Sequence, residues 1–133
     1  MKDSHMTKAL EDYLEEIYVQ ILSGHRARVR DVALHLNVKM PSVVKAIQEL
    51  KKFELVNQEP YGDIELTEAG RAAAAKVLSR HHTLRAFLQK LGVSEEVADK
   101  DACMMEHILS AETMDRILDY LGDDAPEEPV QTK

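Results

Sequence analysis

Residues 29–52, VRDVALHLNVKMPSVVKAIQELKK, hold two helical stripes whose helices are joined by a turn of only three residues, and that spacing leaves few ways to fold the chain. Val29, Val32, Ala33 and Leu36 share one face of the first stripe, and Val43, Ala46, Ile47 and Leu50 share one face of the second. Asn37 follows the first stripe and tolerates the left-handed backbone that a tight turn between helices needs. Val38 is read as the plug of that turn, and Pro41 suits the first turn of the next helix. Small Ala33 lets the two helices cross closely, while Pro41, Lys45, Gln48 and Lys52 line the face opposite the second stripe. A helix, a three-residue turn and a helix with a polar, basic outer row predict a helix-turn-helix.

The flanking segments extend this reading. Thr7 to Ser23 is helical by spacing, through Leu10, Leu14, Ile17, Tyr18 and Ile21, and Gly24 stops it. After the second stripe the period changes: Leu55-Val56 and Ile64-Glu65-Leu66 are short strands joined through Pro60-Tyr61-Gly62-Asp63, a turn by composition. A hairpin at that place is the wing of a winged helix-turn-helix. Thr67 caps a fourth helix that runs to about Leu91, Ser94 starts a fifth, and Ser110 starts a sixth that Gly122 ends. The expected fold is mainly α: a winged helix-turn-helix over residues 1–70 and a helical dimerisation domain over 71–122, followed by a disordered acidic tail over 123–133. Leu84, Leu88, Ile117 and Leu121 are expected at a two-fold interface that hides surplus apolar surface.

Charge supports a nucleic-acid partner despite a net −7. Between Arg26 and Val56 stand seven Lys/Arg against three Asp/Glu, leaving ten basic and twenty-one acidic residues elsewhere. A basic island in an acidic chain fits a DNA-reading module joined to a domain of another kind. The expected contacts are Pro41, Ser42, Lys45 and Gln48 at the groove, Lys39 and Arg28 near phosphates, and Tyr61 with Gly62 in the wing. The implied partners are a palindromic double-stranded operator and a second copy of the chain, with no membrane, because no apolar run reaches spanning length. A single cysteine and no signal peptide suit a reducing cytoplasm. The opening MKDSHM contains Ser-His-Met, a common vector scar, so no site is placed on His5.

The stretch DACMMEH, Asp101 to His107, sets Cys103 three residues before Glu106 and four before His107. On a helix these share a face, and a thiolate, a carboxylate and an imidazole there form a ligand set for a transition metal. The competing reading is a buried structural cysteine beside an exposed Glu-His pair. Met104 and Met105 read as core filling.

The helix-turn-helix, LTEAG after the wing, the His81-His82 pair and DACMMEH occur in that order. In that order, and in EDYLEEIY (Glu11 to Tyr18), VKMPSVV and CMMEHILS, the chain resembles the diphtheria-toxin-repressor family of metal-dependent regulators. The likeness is to its short manganese-transport-regulator branch, without an SH3-like domain, and covers about Leu10 to Leu121. It implies metal ligands at Asp12, Glu15, His81, Cys103, Glu106 and His107. The set is mixed, because the manganese branch has glutamate at the position of Cys103 and the iron branch has methionine at that of Asp12. Arg85 and Asp99 stand where the iron branch keeps a glutamate and a histidine of an ancillary site.

The resemblance thus implies a homodimeric repressor, not an enzyme, that senses Fe2+ or Mn2+ and controls metal-uptake genes, with Co2+, Ni2+ or Zn2+ as substitutes. The alternative is a winged-helix regulator answering to an organic ligand or to redox change at Cys103. Soft Cys103 favours ferrous iron, hard Asp12 and Glu15 favour manganese, and iron is the expected signal with manganese as a competent substitute.

Overall fold

The computed structural model describes residues 6–58 and 62–127. Helices α1 (Lys8–Leu22), α2 (Val29–Leu36) and α3 (Met40–Lys52) precede strands β1 (Val56–Gln58) and β2 (Ile64–Leu66), and α4 (Glu68–Lys90), α5 (Glu95–Met105) and α6 (Ala111–Leu121) follow. The fold is therefore mainly α with one antiparallel hairpin. The chain divides into two compact units between Ala75 and Lys76, a point inside α4.

In the first unit local chemistry fixes each helix end. Thr7 Oγ1 accepts from Leu10 N at the start of α1, and Gly24 takes φ 85° just past its end. Asn37 adopts φ 58° and ψ 48° as expected, and the next amide, Val38 N, donates to Ala33 O at 3.0 Å. That backbone bond closes the turn, and the Val38 side chain, 37 % exposed, does not plug it. Pro41 lies in the first turn of α3, where its missing N–H costs nothing. Glu16 Oε2 accepts from Gln20 Nε2 and lies 2.8 Å from His35 Nδ1, tying α1 to α2.

The end of α3 explains why β1 starts one residue late. Glu54 takes φ 62° and Leu55 N bonds back to Leu50 O at 3.0 Å, so Leu55 closes the helix and Val56 opens the strand. Val56 pairs with Leu66 and Gln58 with Ile64, and Ile64 N also donates to Ala27 O at 2.8 Å. Leu14, Ile17, Tyr18, Val32, Val43, Ile47, Leu50, Val56 and Ile64 fill the core that these elements enclose.

The second unit packs α5 and α6 against α4 around Leu84, Ala102, Met114, Ile117 and Leu121. Leu84, Leu88, Ile117 and Leu121, expected at an intermolecular interface, are at most 9 % exposed within this single chain and serve its own core. Periodicity marks a buried face but not what buries it. Ser94 and Ser110 cap α5 and α6 as expected. Met105 packs on the core, whereas Met104, also expected there, is 60 % exposed. The start of the expected tail is anchored: Gly122–Asp124 form a 3-10 turn, Asp124 pairs with Lys90 at 2.9 Å, and Ala125 packs on the cluster. The hydrogen bond to Asp124 raises the Lys90 pKa, and its ammonium stands 4.9 Å over the Tyr120 ring. Residues 128–133 of that tail lie outside the described residues.

One glycine is demanded by packing. The amide of Thr67 donates to Leu55 O at 3.0 Å, and this draws the first turn of α4 onto the Leu55 backbone. A Cβ on Gly70 would meet Leu55 O at 1.9 Å, and backbone at both ends of the clash leaves nothing flexible to yield. Gly70→Ala should lose about 1–3 kcal/mol of stability, the usual cost of overpacking, where an open helical site would gain from the same change. Urea unfolding of the two proteins checks this, and equal midpoints would show that α4 shifts freely.

Candidate metal centre

The second unit gathers four of the six expected ligands. His81 lies on α4, Cys103 on α5, and Glu106 and His107 just beyond it. Their spacing predicts Cys103, Glu106 and His107 on one helical face, but α5 ends at Met105 and Glu106 is its C-cap. Glu106 N still bonds to Ala102 O at 2.9 Å, while His107 N reaches Met104 O and Ile108 N reaches Met105 O, three residues back. The chain thus tightens into a 3-10-like turn through the motif.

Glu106 is fully buried, at 0 % exposure. Its Oε1 lies 2.9 Å from His81 Nδ1, and its Oε2 lies 3.3 Å from His107 Nε2 without hydrogen-bond geometry. Among the described residues Oε2 has no hydrogen-bond partner. The Cys103 sulfur and a Glu106 oxygen stand within 4.8 Å of each other, and Arg80 donates to the Glu106 carbonyl at 3.2 Å. A dehydrated carboxylate with an unsatisfied oxygen is expensive unless something positive completes it. Two adjacent ligands on a first-row octahedral ion stand about 3 Å apart, close to the 2.9 Å between His81 and Glu106. The donor types, their spacing and the orphaned oxygen fit a divalent transition metal.

Behind His81 stands a residue to which the sequence alone assigns no role. His81 Nε2 lies 2.8 Å from Asp99 Oδ1, and Arg85 Nη1 reaches the same oxygen at 3.5 Å. Hydrogen bonding to His81, with smaller help from its charge and from Arg85, holds the Asp99 pKa below its ordinary value. Neighbouring His82 has its pKa lowered, chiefly by burial and next by Arg85. The i, i+4 spacing of His81 and Arg85 hints at a shared partner, and the family likeness puts positions 85 and 99 at one ancillary site without giving Asp99 a role toward His81.

The other two expected ligands belong to the first unit. Asp12 and Glu15 are partly buried on α1, about one turn apart, and Asp12 Oδ2 accepts from Lys8 Nζ at 3.0 Å. On the same unit Pro41, Ser42, Lys45 and Gln48 are exposed on α3, with Lys39 exposed at its N-cap. Arg28 is exposed and its Nε lies 3.5 Å from Asp63 Oδ1, while Arg26 reaches the other Asp63 oxygen at 3.3 Å. Tyr61 lies outside the described residues. The outer face of α3 also shows Val44, 44 % exposed, which the sequence does not single out because an apolar residue there resembles an unfilled core position.

Known proteins match both units. Residues 5–64 match the iron dependent repressor N-terminal DNA binding domain, and residues 67–128 match the iron dependent repressor metal binding and dimerisation domain. An HTH-type transcriptional regulator of Methanocaldococcus jannaschii is 40% identical over 114 residues, 84% of this chain and 91% of that protein. The HTH-type transcriptional regulator MntR of Geobacillus kaustophilus is 42% identical over 115 residues, 86% of this chain and 82% of that protein. Among solved structures, that of the manganese regulator SloR superposes with a TM-score of 0.77 at 25% identity, covering 87% of this chain and 54% of SloR. The chain thus spans about half of SloR but most of MntR. With both of its domains matched and a donor set suited to a transition metal, the chain belongs to the iron-dependent, or diphtheria-toxin-repressor, family of metal-dependent DNA-binding transcriptional repressors, in its short MntR-like form.

Proposed function

We propose that this repressor senses ferrous iron, with manganese as a competent substitute, through Asp12, Glu15, His81, Cys103, Glu106 and His107, and that it represses metal-uptake genes at palindromic operators. The observation that carries the reading is the fully buried Glu106 carboxylate, whose Oε2 has no hydrogen-bond partner among the described residues. A bound divalent cation would supply the positive charge that Asp12, Glu15 and Glu106 need if they are to share one site. The chain's own part is to hold the donors: α4 presents His81, the turn after α5 presents Glu106 and His107, and α1 presents Asp12 and Glu15. Sharing one ion would then link α1, in the DNA-binding domain, to the dimerisation domain and favour one placement of the two recognition helices of a dimer.

We further take the DNA-binding domain as residues 1–70 and the metal and dimerisation domain as 71–122. The groove contacts are Pro41, Ser42, Lys45 and Gln48, with Lys39 and Arg28 at phosphates and Tyr61 in the wing. Their support is the exposed basic face of α3, which faces none of the apolar core of its unit. Soft Cys103 in a set otherwise of oxygen and nitrogen donors inclines the site toward iron.

Calorimetric titration of metal-free protein with Mn2+ and, anaerobically, Fe2+ tests the reading, paired with anisotropy on a duplex selected from random DNA. Saturable binding of the ion and DNA affinity that collapses in chelator are the expected results; DNA binding indifferent to metal would sink it. Lys45→Ala should weaken DNA binding and lower the slope of log affinity against log salt by about 0.9, one phosphate contact's worth. An unchanged slope would remove Lys45 from the interface. Cys103→Glu should shift the ratio of iron to manganese activation toward manganese, read as DNA binding at matched free-metal concentrations; a constant ratio would show that Cys103 does not select the ion.

A further inference from the structure

Asp99 is exposed at the middle of α5, yet its Oδ1 lies 2.8 Å from Nε2 of a His81 side chain only 13 % exposed. The Asp99 oxygen can accept a proton carried on Nε2. The ring is thereby turned with Nδ1 toward Glu106 Oε1, 2.9 Å away. Arg85, one turn along α4 from His81, steadies the same Asp99 oxygen from 3.5 Å. Imidazoles that bind metals usually pass their second N–H to a carboxylate, which fixes the ring and makes the ligating nitrogen a better donor.

We propose that Asp99 is a positioning residue for metal binding: by accepting the Nε2–H of His81 it holds Nδ1 as the ligating nitrogen beside Glu106. This inference rests on the metal-regulator reading above. Asp99 itself does not touch the ion. Its partner Arg85 reaches the same oxygen from 3.5 Å and offsets the added negative charge at the rim of the site. The sequence likeness treats positions 85 and 99 as a lost ancillary site, whereas the geometry gives them work at the remaining one.

The test compares the full-length wild type with Asp99→Ala, Asp99→Asn and Asp99→Glu. Calorimetry with Mn2+ should show affinity reduced about 10–100-fold in the Ala and Asn variants, with partial recovery in Asp99→Glu. Metal-free melting temperatures read any structural loss separately. In the metal-free wild type, nitrogen-15 spectroscopy should find the His81 Nε2–H slow to exchange with water, and fast in Asp99→Ala. Wild-type metal binding that Asp99→Ala leaves within two-fold would overturn the proposal alone. So would an affinity loss that Asp99→Glu fails to recover while all variants melt together, or one that merely follows a fall in melting temperature. A wild type that binds no divalent metal, whatever its exchange rates, would overturn the regulator reading and this inference with it.

Discussion

A carboxylate taken fully out of water sets the terms for the second unit. Burying an ion of that size without compensation costs several kcal/mol, and Glu106 is 0 % exposed with one oxygen lacking a hydrogen bond among the described residues. The compensation on hand is arranged around it: His81 at one oxygen, His107 near the other, and Arg80 on its carbonyl. Burial was not forced by the helix, since Glu106 is a C-cap at the end of α5, a place ordinarily close to solvent. A folded state that keeps an unfinished carboxylate there gives up stability that an ion bound at the proposed site would restore. At the proposed site, metal binding and local stability would be one property.

The elements are legible where the signal is local. Asn37 takes its left-handed turn, Pro41 enters the first turn of α3, and Ser94 and Ser110 cap their helices, because each of these depends on a few neighbouring atoms. Legibility fails where a side chain's fate depends on distant chain. Leu84 and Ile117 read as surplus apolar surface, since nothing in the spacing says that α4 and α6 cover each other. Val38 and Met104 read as buried because they are apolar, and a backbone bond and a sharp turn leave them outside.

The same division holds at the site. Cys103, Glu106 and His107 announce themselves by type and spacing, and His81 by its family context. Their arrangement depends on the helix stopping at Met105, one residue short of Glu106. Asp99 cannot be found that way, because its partner is eighteen residues distant on another helix. On the DNA-binding side the reverse is true: the exposed row on α3 is a property of one helix, and its sequence is enough to draw it.

His81 and Arg85 stand one turn apart on α4 and close on a single oxygen of α5. Two prongs on one peg behave as a ratchet pawl. Sliding α4 along α5 by even one residue, a rise of about 1.5 Å, would pull both prongs off together, and neither could be exchanged for the other because one is a ring and the other a longer guanidinium. The register of α4 on α5 and the orientation of the His81 ring thus hang on the same oxygen, so a slip between the helices would disturb both at once.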